Sequence, residues 1–228
     1  MLLLLVYAVG ASLPLTAGAL VGVRWRVPQP LLAAALAFAA GALIASVAFE
    51  LFEPSYRDGG PVRAGLLFAA GALVFTTADY FLDRYVSGTV AGWALLAGVT
   101  LDGIPENAAL GVSLSGSGSV ALLVAVFVSN FPEALAGART MQDRGRSARS
   151  VVALWAGATV LLAAAVVLGR LVFAGASPEA LAYPLAFAAG AVLASVVATL
   201  APEAFGKGGP LVALGSAAGF LTGFLLGG

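Results

Sequence analysis

Apolar residues in this chain come in blocks of roughly twenty, the length an α-helix needs to cross a ~30 Å hydrocarbon layer. In lipid every backbone N–H and C=O must find a partner inside the protein, so such blocks fold as helices. Barrel strands would read as ~10-residue alternating segments, and none is present. Divided at charges, Pro and Gly, the blocks run 2–23, 31–53, 62–82, 90–112, 119–141, 149–172, 182–203 and 209–227. The expected fold is an all-α membrane protein of eight transmembrane helices, one polytopic domain over 1–228. Composition agrees, with 61% hydrophobic and 10% charged residues, against about 25% charged in a soluble domain. The formal net charge is zero, which leaves no basic surface for nucleic acid. Without Cys or His, disulfides, thiolate sites and imidazole ligands are excluded. The first block has AGA at 17–19 but no basic residue before it, and Arg24 and Arg26 follow it. It is therefore expected as a retained span, not a cleaved signal peptide.

Basic residues set the expected orientation. The connections after spans 1, 3, 5 and 7 hold Arg24, Arg26, Arg84, Arg139, Arg144, Arg146, Arg149 and Lys207, and the opposite ones only Arg57, Arg63 and Arg170. Lys and Arg favour the cytoplasmic side, so both termini are expected outside the cytoplasm.

An internal similarity adds a second constraint. LAFAAGALIASVAFELFEPSYRDGGP at 36–61 and LAFAAGAVLASVVATLAPEAFGKGGP at 185–210 align without a gap at an offset of 149, with 14 identities in 26 positions. The copies fall in spans 2 and 7, five apart in order, so they must cross in opposite directions. Spans 1–3 (1–85) and 6–8 (148–228) are expected as an inverted repeat around a central hairpin of spans 4 and 5 (88–142), a 3+2+3 order. Secondary transporters use that architecture, with sites near the midplane on interrupted helices.

Seven acids fall within or at the edges of spans: Glu50, Glu53, Asp79, Asp102, Glu106, Glu133 and Glu203. A charged carboxylate at the bilayer centre costs at least ~2.5–3.5 kcal/mol. No Lys or Arg stands mid-span to neutralise them, so protons, water or a bound cation must. Acids without bases point to cation handling. Asp102 and Glu106 are one helical turn apart and share a face. Ser129 and Glu133 repeat the spacing, with Asn130 beside them. Pro105 and Pro132 precede the two glutamates. Each removes an N–H and so frees the carbonyl four residues back, at Leu101 and Val128, which predicts helices opened beside the acids. Counted from the SGSGS turn at 115–119, Glu106 lies about 14 Å deep and Glu133 about 21 Å, so one ion can bridge them.

The polar-x-x-Pro-Glu pattern in two consecutive spans, D102-GIP-E106 and S129-NFP-E133, within eight spans, resembles the ZIP family of divalent metal transporters. The motif covers about twenty residues, although the topology covers the whole chain. The resemblance implies a helical bundle in which spans 4 and 5 hold the metal and move against a scaffold of spans 2, 3, 7 and 8. The ligand set it implies is Asp102, Glu106, Ser129, Asn130 and Glu133. The family's histidine falls on Asp102, its asparagine on Gly103 and its glycine on Asn107. An all-oxygen shell suits Mn²⁺ or Fe²⁺ as well as Zn²⁺ or Cd²⁺. Loss of the asparagine, and a sixth span without acids, imply one principal site. The resemblance further implies a homodimer in a bacterial inner membrane, with a divalent metal ion as substrate, no organic cofactor and no enzymatic activity. Glu50, Glu53, Asp79 and Glu203 are candidates for the entrance or exit path.

Two other functions fit parts of the pattern. A proton- or sodium-coupled cation exchanger of another inverted-repeat family would place its acids in equivalent helices of the two repeats, whereas here they gather in the hairpin. An intramembrane aspartyl protease would need a Gly-x-Gly-Asp motif around Asp79 or Asp102, and neither aspartate has one.

Overall fold

The computed structural model describes residues 1–85 and 91–227, with the side chains of 83, 85 and 91–95 excepted. Of the connection expected between spans 3 and 4, residues 86–89 thus fall outside the described residues. In chain order the helices are α1 (Leu2–Arg24), α2 (Gln29–Gly59), α3 (Pro61–Tyr85) and α4 (Ala91–Ser113). After them come α5 (Val120–Asp143), α6 (Ala148–Val172), α7 (178–208) and α8 (Val212–Gly227). No strand occurs among the described residues. Among them, six helical stretches are long and apolar enough to cross a membrane, the last being Pro178–Gly227 at 50 residues.

Helix starts are written locally. The hydroxyls of Ser119, Ser147 and Ser177 accept from the amides of Leu122, Ser150 and Ala180 at 2.9, 3.3 and 3.3 Å, occupying donors that a helix start leaves orphaned. Gly60 and Gly209, with φ of 82° and 65°, turn the chain out of α2 and α7; a Cβ is disfavoured in that region.

The core is assembled from small residues. Ala, Gly and Leu fill the buried faces, while Leu3, Val6, Leu66, Leu73, Val160, Leu168, Leu214 and Leu225 lie exposed on the outside. A soluble protein rarely exposes so much apolar surface, but lipid has no preference for polar groups. Helices therefore associate by close packing, not by hydrophobic exclusion. A Cβ on Gly41 would run into the backbone of Ser216, and one on Gly219 into that of Phe38, where α2 meets α8. The same reciprocal approach joins α3 to α7, with Gly71 against Phe187 and Gly190 against Phe68. α5 packs on α1 and α2, α4 packs on α6 and α7, and α4 and α5 also touch each other.

Both α2 and α7 carry an interruption. Val47–Phe52 and Val196–Leu200 are π-helical: the N–H of Glu53 reaches the carbonyl of Ala48, and that of Ala201 reaches Val196. Proline at 54 and 202, in the first turn of the helix that continues, removes the donor that an α register would need there. Such π segments concentrate at functional sites.

A candidate cation site between three helices

Pro105 and Pro132 do not open their helices: α4 and α5 run through them unbroken. What each proline does is remove one backbone donor from an otherwise continuous helix. Nearby side chains bond back onto their own helices, with the Asn107 amide donating to the Gly103 carbonyl at 2.9 Å and the Ser129 hydroxyl to the Val126 carbonyl at 3.1 Å.

Around these prolines the acids gather. Asp102 and Glu133 line one cavity of about 70 Å³, together with Glu203, Thr140 and Thr199 from α5 and α7. A water occupies roughly 30 Å³ of liquid, so an ion with one or two waters fits. Glu106 is 4% exposed and lies close enough to Asp102 and Glu133 for their charges to act on one another. Asp79 on α3 stands within electrostatic reach of Asp102. α7 presents Ser195, just before its π segment, and Thr199, within it, to Asp102, whose carboxylate accepts from the Thr199 hydroxyl at 3.4 Å. Among the described residues, no base lines this cavity.

The other expected ligands are placed differently. Ser129 and Asn130 are buried, but the Asn130 amide nitrogen donates to the Ala11 carbonyl of α1 at 2.7 Å. Asn130 thereby ties the hairpin to α1. Among the described residues, no three His, Cys, Asp or Glu side chains are grouped closely enough to hold an ion as they stand. Like charges without a counterion keep apart, and an ion would have to draw them together.

The four outlying acids separate into distinct settings. Glu203 belongs to the acid cavity and is ion-paired with Lys207 at 3.0 Å. Glu50 lines a different pocket of about 260 Å³, with Asp58, Arg57, Ser117 and Ser119. Glu53 is exposed near Arg57 and lines neither pocket. A third pocket, about 300 Å³, lies at the opposite end of the bundle from the Glu50 pocket, lined by Trp25, Arg26, Arg139, Asp143 and Lys207. Ala136 and Thr140 line both this basic vestibule and the acid cavity. Among the described residues none lines both the acid cavity and the Glu50 pocket, and Leu110, Leu122, Val126 and Ser129 are fully buried.

Sequence reading missed Ser195, Thr199, Thr140 and Lys207. Ser195, Thr199, Glu203 and Lys207 follow one another at every fourth position of an otherwise apolar helix. That stripe was the available signal.

Long apolar helices, a lipid-compatible exterior and an acidic cavity inside define a multi-pass helical membrane protein. Over 187 residues the chain is 32% identical to an Arabidopsis thaliana protein described as a "Putative zinc transporter". The aligned region covers 75% of this chain and 30% of that protein, so the chain spans less than a third of its relative's length. No family profile matches the chain.

Proposed function

We propose that this chain carries divalent transition-metal cations across a membrane through the cavity between α4, α5 and α7. The observation that carries the reading is a cavity lined by Asp102 and Glu133, with Glu203 at its edge paired to Lys207, inside a bundle whose exterior suits lipid. A doubly positive ion relieves the repulsion among Asp102, Glu106 and Glu133 and draws them into its shell. Ser129 and Asn130, buried on the adjoining turn of α5, complete an all-oxygen set, which accepts Mn²⁺ or Fe²⁺ alongside Zn²⁺ and Cd²⁺. The similarity to a zinc transporter supports metal as the substrate. No catalytic residue or organic cofactor enters this reading.

The fuller architecture belongs to the same proposal. The chain crosses eight times in a 3+2+3 order, as an inverted repeat around the α4–α5 hairpin. Its support is geometric: the π segments begin at 47 and 196, the turning glycines stand at 60 and 209, and both pairs keep the offset of 149 found between the similar stretches. The reciprocal glycine contacts relate α2–α8 to α7–α3 in the same sense. With the basic end in the cytoplasm and both termini outside, the acid cavity faces inward and the Glu50 pocket faces outward. A bacterial inner-membrane homodimer accompanies the resemblance to the ZIP family.

The test is uptake into proteoliposomes. Glu106→Ala and Glu133→Ala are expected to lower divalent-cation flux to the background of empty vesicles while the protein stays monodisperse in detergent. Undiminished flux in both variants refutes the assignment.

A further inference from the structure

Ser195, Thr199, Glu203 and Lys207 form a polar stripe that runs from the Asp102 carboxylate to the basic vestibule. The offset of 149 maps these positions onto Ser46, Glu50, Pro54 and Asp58 in α2. Glu50, Pro54 and Asp58 line the pocket at the other end of the bundle. The two stripes thus match in place but not in charge: where one ends on Asp58, the other ends on Lys207. At the acid cavity's mouth the ammonium of Lys207 stands 3.0 Å from Glu203. Lys207 lines the vestibule and Glu203 the cavity, so their ion pair spans the boundary between the two. Lys207 is only 28% exposed, and about 300 Å³ of open vestibule lies beside it.

Resting on the cation-transport reading above, we infer that Lys207 is a tethered cation that competes with the transported ion for Glu203 and drives its release at the vestibule mouth. A dication moving out from Asp102 and Glu133 meets Glu203 as its next carboxylate. While the ion is there, the ammonium is displaced into the vestibule. When Lys207 returns to Glu203, the ion loses that ligand and leaves. Lysine suits this exchange because its ammonium is a compact charge on a flexible stem, and the vestibule gives the stem room to swing. At the opposite mouth the equivalent position is Asp58, itself paired with Arg57 at 3.0 Å, so the lysine–glutamate exchange belongs to the vestibule mouth.

The experiment uses the full chain in lipid nanodiscs loaded with Zn²⁺ alone, and release is followed by stopped-flow with a fluorescent chelator. Lys207→Gln is expected to slow release by about tenfold, since without the competing ammonium Glu203 holds the dication unopposed. Lys207→Asp is expected to slow it further, and Lys207→Arg to restore most of the rate, which a purely structural role for the side chain would not predict. Equal release from wild type, Lys207→Gln and Lys207→Asp overturns the inference. Should Lys207→Gln fail to fold, the Arg and Asp variants decide the question by the order of their rates, and equal rates overturn it. Glu106→Gln separates this result from failure of the underlying reading: undiminished Zn²⁺ binding in that variant refutes the cation site itself.

Discussion

Asp102 falls where the ZIP family, which the motif resembles, carries a histidine, and in the proposed site its surroundings suit a carboxylate. The hydroxyls of Ser195 and Thr199 face it from α7 and stabilise a negative oxygen, whereas they would do less for an imidazole. Asp102→His is expected to raise preference for Zn²⁺ over Mn²⁺ by about tenfold in competitive uptake, since imidazole favours the later metal. Unchanged selectivity would remove Asp102 from the ligand set. The acids were legible from sequence because a carboxylate buried without a base has so few explanations. Ser195 and Thr199 were not, because a hydroxyl in a membrane helix usually bonds back to its own backbone, as Thr199 also does to the Ser195 carbonyl at 2.8 Å. Asn130 belongs to the ligand set that the resemblance implies, and only the packed structure shows its amide nitrogen given to Ala11.

At the scale of helices, Pro54 and Pro202, which stand next to the expected span ends, accompany register shifts within helices that continue. Spans expected over 31–53 and 182–203 extend to Gln29–Gly59 and 178–208, because a π segment absorbs the missing donor and the helix resumes. Hydropathy also trims such ends, since charged residues beyond the hydrocarbon layer lower the signal although the backbone remains helical. Where α3 crosses α7, contact depends on the absence of side chains at Gly71 and Gly190. Gly71→Leu is therefore expected to lower stability by about 1–3 kcal/mol, the usual cost of overpacking. Gly65→Leu on the same helix, where a Cβ meets nothing within 4 Å, should leave the thermal midpoint in detergent unchanged. Equal midpoints for both variants would show that α3 and α7 are not locked at this crossing.

For the molecule as a whole, orientation is the property that gives the two mouths their meaning. The chain has no Cys, so single cysteines report cleanly. Ser117→Cys, in the turn between α4 and α5, is expected to react with an impermeant maleimide added to intact cells. Arg144→Cys, after α5, is expected to react only once the membrane is opened, and the reverse pattern would invert the proposed direction. Sequence by itself determined the class of fold, the approximate placing of the helices and which acids fall within them, because lipid imposes its demands one residue and one turn at a time. Which acids share a cavity was decided by the tertiary structure. So were the donors that meet Asp102, the mouth to which the cavity connects and the pairing of Lys207 with Glu203. Those properties depend on how helices distant in sequence are turned toward one another, and near-uniform Ala, Gly and Leu surfaces leave that rotation to close packing.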